Sequence, residues 1–282
     1  MTNTPTITLI GPGVMAEAVI SGLIRNQVTE PSKITAAGPR TERGEELIER
    51  YGILFTTDNK AAAKGAEIVI LAVKPQRLQG VLAGLRGSID PQALVLSIVA
   101  GASIQTISQA LSHPVVVRVM PNTPAQIGQG ISVWTASSAV TSIQRDLAQR
   151  ILTALGQEIF VEDENLLDMA TALSGTGPAY VFLFMEALVD AGVHLGFPRR
   201  ISEALVLQTL RGSVEYYAQK KDHPAHLRNE VTSPGGTSAA ALYYLEKAGF
   251  RTAISRAIWA AYERSQELGR GKTSTPPEKQ GN

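Results

Sequence analysis

The sequence predicts a chain in two parts: an α/β domain on a doubly wound, mainly parallel sheet, followed by an all-α domain. Three observations predict it. Short β-rich runs alternate with helical stretches as far as Val161. A glycine-bearing turn, Gly11-Pro12-Gly13-Val14-Met15-Ala16, follows the first run and opens the first helix. Beyond Val161 only helical patterns remain. At 282 residues the chain is long enough for about two domains.

Taken in order, Thr6–Ile10 is the first strand, and Val19, Ile20, Leu23 and Ile24 give the helix behind it one apolar face. Further strands are expected at Ile34–Ala37, Ile68–Val73, Leu94–Val99, Val115–Met120, Ile131–Trp134 and Glu158–Val161. Several are continuous apolar runs, as strands covered on both faces should be. Glu42–Tyr51, Leu78–Leu85, Ile104–Leu111 and Ile143–Leu155 supply helices among them. Helices are then expected at 164–173, 178–195, 199–218, 236–247 and 250–267. Ala179–Ala191 carries Tyr180, Val181, Phe182, Leu183, Phe184, Leu188 and Val189, too apolar all round for a surface helix. It lies either at the centre of a bundle or against another subunit. The tail from Gly269, with Pro276, Pro277 and Lys279, reads as disordered. The expected division is 1–161, 162–268 and 269–282.

Composition narrows the chemistry. The formal net charge is +1 and no basic block or stripe stands out, which gives nucleic acid nothing to bind. With no cysteine there is no disulfide, thiolate nucleophile or zinc–sulfur site. His113, His194, His223 and His226 form no metal pattern. No uninterrupted apolar run approaches the ~18 residues of a membrane span. The polar start, Met1-Thr2-Asn3-Thr4-Pro5, carries no secretory pattern, so the expected location is cytoplasmic.

Gly11, Gly13 and Ala16 fit G-x-G-x-x-G/A between a strand and a helix, where a dinucleotide needs a tight turn and close backbone approach. A helix N-terminus with free N–H groups then meets the pyrophosphate. At the end of the second strand stands Ala36-Ala37-Gly38-Pro39-Arg40, without the carboxylate that would hold a ribose diol. Arg40 suits a 2′-phosphate, so NADP(H) is expected; an exposed loop arginine is the plainer reading. Asn59 suits the adenosine ribose or a helix cap. Ala72-Val73-Lys74-Pro75 and Val99-Ala100-Gly101 follow strands at the ligand edge, and Met120–Pro124 makes another rigid loop there.

On the helical side, Ser233-Pro234-Gly235-Gly236-Thr237-Ser238 opens a helix with two glycines and two hydroxyls, a ready site for a small carboxylate. Alone, it equally fits a capped turn. Leu173–Pro178 forms a second glycine-rich entrance, where Ser174 and Thr176 offer hydroxyls. No Lys or Arg occurs between Ala179 and Phe197, against a hydroxyacid dehydrogenase with a helix lysine. Without cysteine or an evident base, the pattern favours hydride transfer to an already protonated imine, a reaction needing little acid–base help.

These residues resemble the pyrroline-5-carboxylate reductases, over nearly the whole chain to about Leu268. The most specific stretch is Leu227–Glu246, with Val231–Ser238 inside it; Gly11–Glu17, Ala72–Pro75, Met120–Pro124 and Leu173–Tyr180 support it. The resemblance implies a Rossmann domain, reduction of L-1-pyrroline-5-carboxylate to L-proline with NADPH or NADH, and a helical domain that dimerises, often within a decamer. It implies a cofactor loop at Ile10, Gly11, Pro12, Gly13, Val14 and Met15, and a ribose contact at Asn59. It places the nicotinamide beside Ala72, Val73, Lys74 and Pro75 and beside Val99, Ala100 and Gly101. Substrate contacts are implied at Glu164, Thr237 and Ser238. The amides of Gly235, Gly236, Thr237 and Ser238 would hold the carboxylate, with a hydroxyl near the ring nitrogen. Pro12 and Val14 depart from the smaller and more polar residues usual in the loop, a change expected to loosen polar contacts there. Ser238 keeps the hydroxyl of the usual threonine without its methyl. Glu230 stands where the family has an amide or other polar group. The competing expectations are another NADP-dependent imine or hydroxyacid oxidoreductase, and a protein that senses NADP(H) without turnover.

Overall fold

The computed structural model describes residues 4–269, which divide into two compact units. The first holds one eight-stranded sheet in the order β3-β2-β1-β4-β5-β6-β7-β8. Its strands are β1 (Ile7–Ile10), β2 (Ile34–Ala37), β3 (Leu54–Thr56), β4 (Ile68–Leu71), β5 (Leu94–Ser97), β6 (Val116–Met120), β7 (Gly130–Ala136) and β8 (Gly156–Phe160). All neighbours run parallel except β6 and β7. Between them lie α1 (Val14–Arg25), α2 (Thr41–Tyr51), α3 (Asn59–Ala63), α4 (Pro75–Leu85), α5 (Ile104–Leu111) and α6 (Ser142–Thr153).

Residue alternation explains why both faces are covered. Ile7, Leu9, Ile68, Ile70, Leu94 and Leu96 point to one face, where Val19, Ile20 and Leu23 of α1 and Ile151 and Leu152 of α6 join them. Ile10, Val69, Leu71 and Val95 point to the other and meet Leu78, Leu82 and Leu85 of α4 and Ile107 of α5. The order reverses between β1 and β4, so the crevice beyond their carboxyl ends is the ligand position of this architecture.

Helices follow β8: α7 (Leu166–Ala170), a π-helical turn at Thr171–Gly175, then α8 (Gly177–His194), α9 (Arg199–Lys220), α10 (Pro224–Glu230), α11 (Thr237–Lys247) and α12 (Phe250–Gly269). The second unit comprises Gly177–Ala260. Contacts thus place the boundary after Thr176, later than the expected 161, because Leu167 and Ala172 are buried and Asp168 pairs with Arg118 of β6. Residues 261–269 group with the first unit. Gly269 ends α12 instead of starting a tail, and the rest of the expected tail lies outside the described residues.

One strand and two α-helices among the described residues went unforeseen. The three residues of β3 are too few to show a period, and they sit half-exposed at the sheet edge. The brief helix α3 is started by Asp58, whose side chain accepts from the N–H groups of Lys60 and Ala61. In α10 Pro224 takes the first position, and the exposed His223 caps the helix, its Nδ1 accepting from Ala225 N at 3.2 Å. One helical stretch, interrupted by Asp168, Glu186 and Asp190, is nevertheless apolar on average. Leu166–His194 is long and apolar enough by length and composition to cross a bilayer. Only Val189 of α8 is buried within the chain, while Phe182 and Leu183 stand more than half exposed.

Candidate active site

The glycine turn is built around two close approaches. Gly11 has φ +94°, and a Cβ there would lie 2.6 Å from Val73 Cγ1 and 3.0 Å from its backbone, at the end of β4. Gly11 N–H donates to Ala37 O at 2.9 Å, which ties the turn to β2. Gly13 is the N-cap of α1 with extended backbone, and no side chain caps that end among the described residues. A Cβ at Gly13 would meet nothing within 4 Å, so open space faces the free first-turn N–H groups. Ala16 is fully buried against the sheet.

Pro12 is held on two sides. Its carbonyl accepts Arg43 Nε–H at 3.1 Å, and its ring lies so close to Gly38 that a Cβ there would stand 2.4 Å from Pro12 Cδ. Arg43 also pairs with Glu17 of α1, which takes further hydrogen bonds from Arg50 and from Tyr51 Oη at 3.0 Å. Burial pushes the Glu17 carboxyl up, but the hydrogen bonds from Arg43 and Tyr51, the Arg43 charge and Arg50 outweigh it and hold it below the ordinary range. Val14 is well exposed.

A cavity of about 630 Å³ opens over this turn. Its lining includes Ile10, Gly11, Pro12 and Gly13, then Gly38 and Arg40, and Ala72, Val73 and Lys74. Arg40 and Arg77 both line it, and neither forms an ion pair among the described residues. Asn59 lines it too, as the first residue of α3 and not its cap. Its Oδ1 is buried and has no hydrogen-bond partner among the described residues. A dinucleotide fits this set: free helix amides for pyrophosphate, an orphaned amide oxygen for a ribose hydroxyl, and two cations for a further phosphate.

The remaining cofactor candidates sit apart from that cavity. Pro75, Ala100 and Gly101 line a second cavity of about 300 Å³ with Leu78, Thr106 and Leu268. Gly101 has φ +74°, and a Cβ on it would meet Gly269 N at 2.8 Å, so α12 ends against this loop. Val99 is buried in the sheet core, and Val14 and Met15 line neither cavity. Asn122, within the rigid Met120–Pro124 loop, donates to Ser174 O at 3.2 Å and accepts from Ile131 N at 3.0 Å.

The substrate candidates divide between the units. In the first, Glu164 Oε1 accepts from Ile104 N at 2.8 Å and from Arg118 at 3.1 Å. Thr176 spends its hydroxyl hydrogen on Thr171 O at 2.8 Å, and Ser174 does so on Ala170 O at 3.0 Å. In the second unit, Gly236 N–H closes the turn onto Ser233 O at 3.0 Å, and Gly235 has φ +71°. That turn delivers the chain into α11 at Thr237, within one residue of the expected start, with Gly236 as N-cap and no capping side chain among the described residues. Thr237 is exposed and Ser238 half-buried. The loop therefore presents backbone N–H groups and two hydroxyls at one helix start.

Sequence reasoning missed Gly38, Arg77, Arg118 and Asp168. Arg77 sits three residues from Lys74 on α4, so its helical spacing from the strand end could have found it. Arg118, a charge amid Val116, Val117 and Val119, was the visible irregularity in a buried strand.

Comparisons with known proteins match two regions, the second beginning close to the expected 162. Residues 164–268 match the family described as pyrroline-5-carboxylate reductase dimerisation, and residues 6–101 match the NADP oxidoreductase, coenzyme F420-dependent family. A pyrroline-5-carboxylate reductase from Synechocystis sp. is 45% identical over 93% of this chain and 97% of its own. Another, from Pseudomonas aeruginosa, is 39% identical over 94% and 97%. The solved structure of the Plasmodium falciparum pyrroline carboxylate reductase with NADP bound is 33% identical, covers 95% of this chain and 99% of that one, and superposes with a TM-score of 0.87. With such relatives covering more than nine tenths of it, the chain belongs to the pyrroline-5-carboxylate reductases, a family of NAD(P)-dependent oxidoreductases.

Proposed function

We propose that this protein reduces L-1-pyrroline-5-carboxylate to L-proline, the last step of proline biosynthesis, with NADPH as the preferred reductant. The observation that carries the cofactor half is the cavity over Gly11–Gly13 with the orphaned Asn59 oxygen inside it. When bound, the dihydronicotinamide supplies the hydride that the C=N carbon accepts. The protein's part is to bind and orient. The free N–H groups at the start of α1 hold the pyrophosphate, Asn59 Oδ1 accepts from a ribose hydroxyl, and Arg40 with Arg77 takes the 2′-phosphate. Ala72–Pro75 and Val99–Gly101 flank the nicotinamide.

In the helical unit, the amides of Gly235, Thr237 and Ser238 hold the substrate carboxylate, aided by the Ser233 and Thr237 hydroxyls, while the Gly236 N–H stays in the turn on Ser233 O. The half-buried Ser238 hydroxyl stands near the ring nitrogen. Glu164 and Thr176 are the remaining substrate-binding residues of this reading. A substrate that arrives as the iminium needs no further proton, consistent with a site offering hydroxyls and amides in place of a strong acid. The chain self-associates through its dimerisation region, and we extend this to a homodimer within a decamer in the cytoplasm.

The test is direct. Folded protein mixed with pyrroline-5-carboxylate should consume NADPH and release proline, with a lower KM for NADPH than for NADH. Cofactor binding without turnover would favour a nucleotide sensor, and turnover only with other imines or hydroxyacids would move the substrate assignment.

A further inference from the structure

One buried cation takes no part in the proposal above. Arg118, on β6, is 5% exposed and is flanked along the strand by Val117 and Val119. Its two terminal nitrogens divide between two carboxylates: one donates to Glu164 Oε1 at 3.1 Å, the other to Asp168 Oδ1 at 2.7 Å. Ser265 of α12 donates to the same Asp168 oxygen at 3.0 Å. Glu164 Oε1 also accepts Ile104 N–H, the first amide of α5, immediately after the Val99–Gly101 segment and its continuation.

Stability alone is a poor reason for this arrangement. A buried ion triad is seldom better than well-packed apolar side chains of similar volume, and the neighbouring strand positions are valine. What a planar guanidinium does supply is fixed geometry, because its fork sets the position and orientation of both partners. Here one Glu164 oxygen is held twice, while Oε2 has no hydrogen bond among the described residues and the side chain remains 31% exposed. The carboxylate is clamped on one side and open on the other.

We propose that Arg118 is a positioning residue. It fixes Glu164, which Ile104 N–H holds from the other side, so that the free oxygen faces substrate. This rests on the reading of Glu164 as a substrate contact, and the experiment separates the two. Wild-type turnover with pyrroline-5-carboxylate tests the parent reading by itself. The positioning role is tested by a double-mutant cycle with R118K, E164Q and the combined variant, measuring kcat and KM for each substrate.

A lysine keeps the charge but cannot span both carboxylates. R118K should lower kcat/KM for pyrroline-5-carboxylate by about tenfold to a hundredfold, while the KM for NADPH changes less than about threefold. In the E164Q background R118K should have little further effect, since the residue it positions is already lost. Equal losses in both backgrounds, equal weakening of NADPH, or an unchanged kcat/KM in R118K would overturn the proposal. If R118K does not fold, D168N unties one arm of the fork. It should give a smaller loss of the same kind, again suppressed by E164Q, and D168N with wild-type kinetics would equally reject the role.

Discussion

Pro12 and Gly38 show how one residue in the phosphate turn dictates another. Because a Cβ on Gly38 would stand 2.4 Å from Pro12 Cδ, G38A must displace the turn that holds pyrophosphate. G38A should raise the KM for NADPH at least about tenfold, an effect of ~1.4 kcal/mol, and P12A/G38A should recover much of it. Recovery that fails to appear in the double variant would place the strain elsewhere. At the same scale, R40A should weaken NADPH much more than NADH, and R77A should do the same if both cations share the phosphate. S238A should lower kcat/KM for the imine about tenfold to a thousandfold, the range for a lost polar contact worth ~1.4–4 kcal/mol. Unchanged kinetics would exclude that hydroxyl. Arg40 was legible because its place past a strand end has a fixed meaning. Gly38 was not, because its requirement comes from a proline distant in the chain.

Elements were legible in proportion to their length and periodicity. Fully buried strands such as Ile68–Leu71 read as unbroken apolar runs, and Ile104–Leu111 was expected to the residue. The three residues of β3 and the π-helical turn at Thr171–Gly175 carry no pattern of their own, since tertiary contacts define them. The phosphate turn and α1 are tied to α2 through Glu17, and this has a pH signature. The Glu17 carboxyl lies below the ordinary glutamate range in the folded protein, so the unfolded chain binds its proton first. Its contribution to stability is whole above the unfolded value of about 4.3 and is lost as pH falls through the folded value. Thermal melts should show wild type losing stability over that acid range, while E17Q loses less across the same window. E17Q should be less stable at neutral pH. Parallel melting curves for the two proteins would refute the linkage.

For the molecule as a whole, the dimerisation region explains what composition left open between a bundle core and a subunit contact. Phe182 is 63% and Leu183 67% exposed within one chain, and Tyr244 is 70%. A surface so apolar requires a partner. F182E/L183E should shift the protein to smaller species in sedimentation and reduce its melting temperature; an intact assembly would show that α8 lies outside the contact. The Ala179–Ala191 pattern announced this need from sequence, yet which surface answers it is a property of a second chain and was not readable from one. Dilution then becomes a control on catalysis. Because α8 buries almost nothing on its own, subunits that part company leave its aromatic face in water, and specific activity should collapse below a threshold enzyme concentration and return on reconcentration.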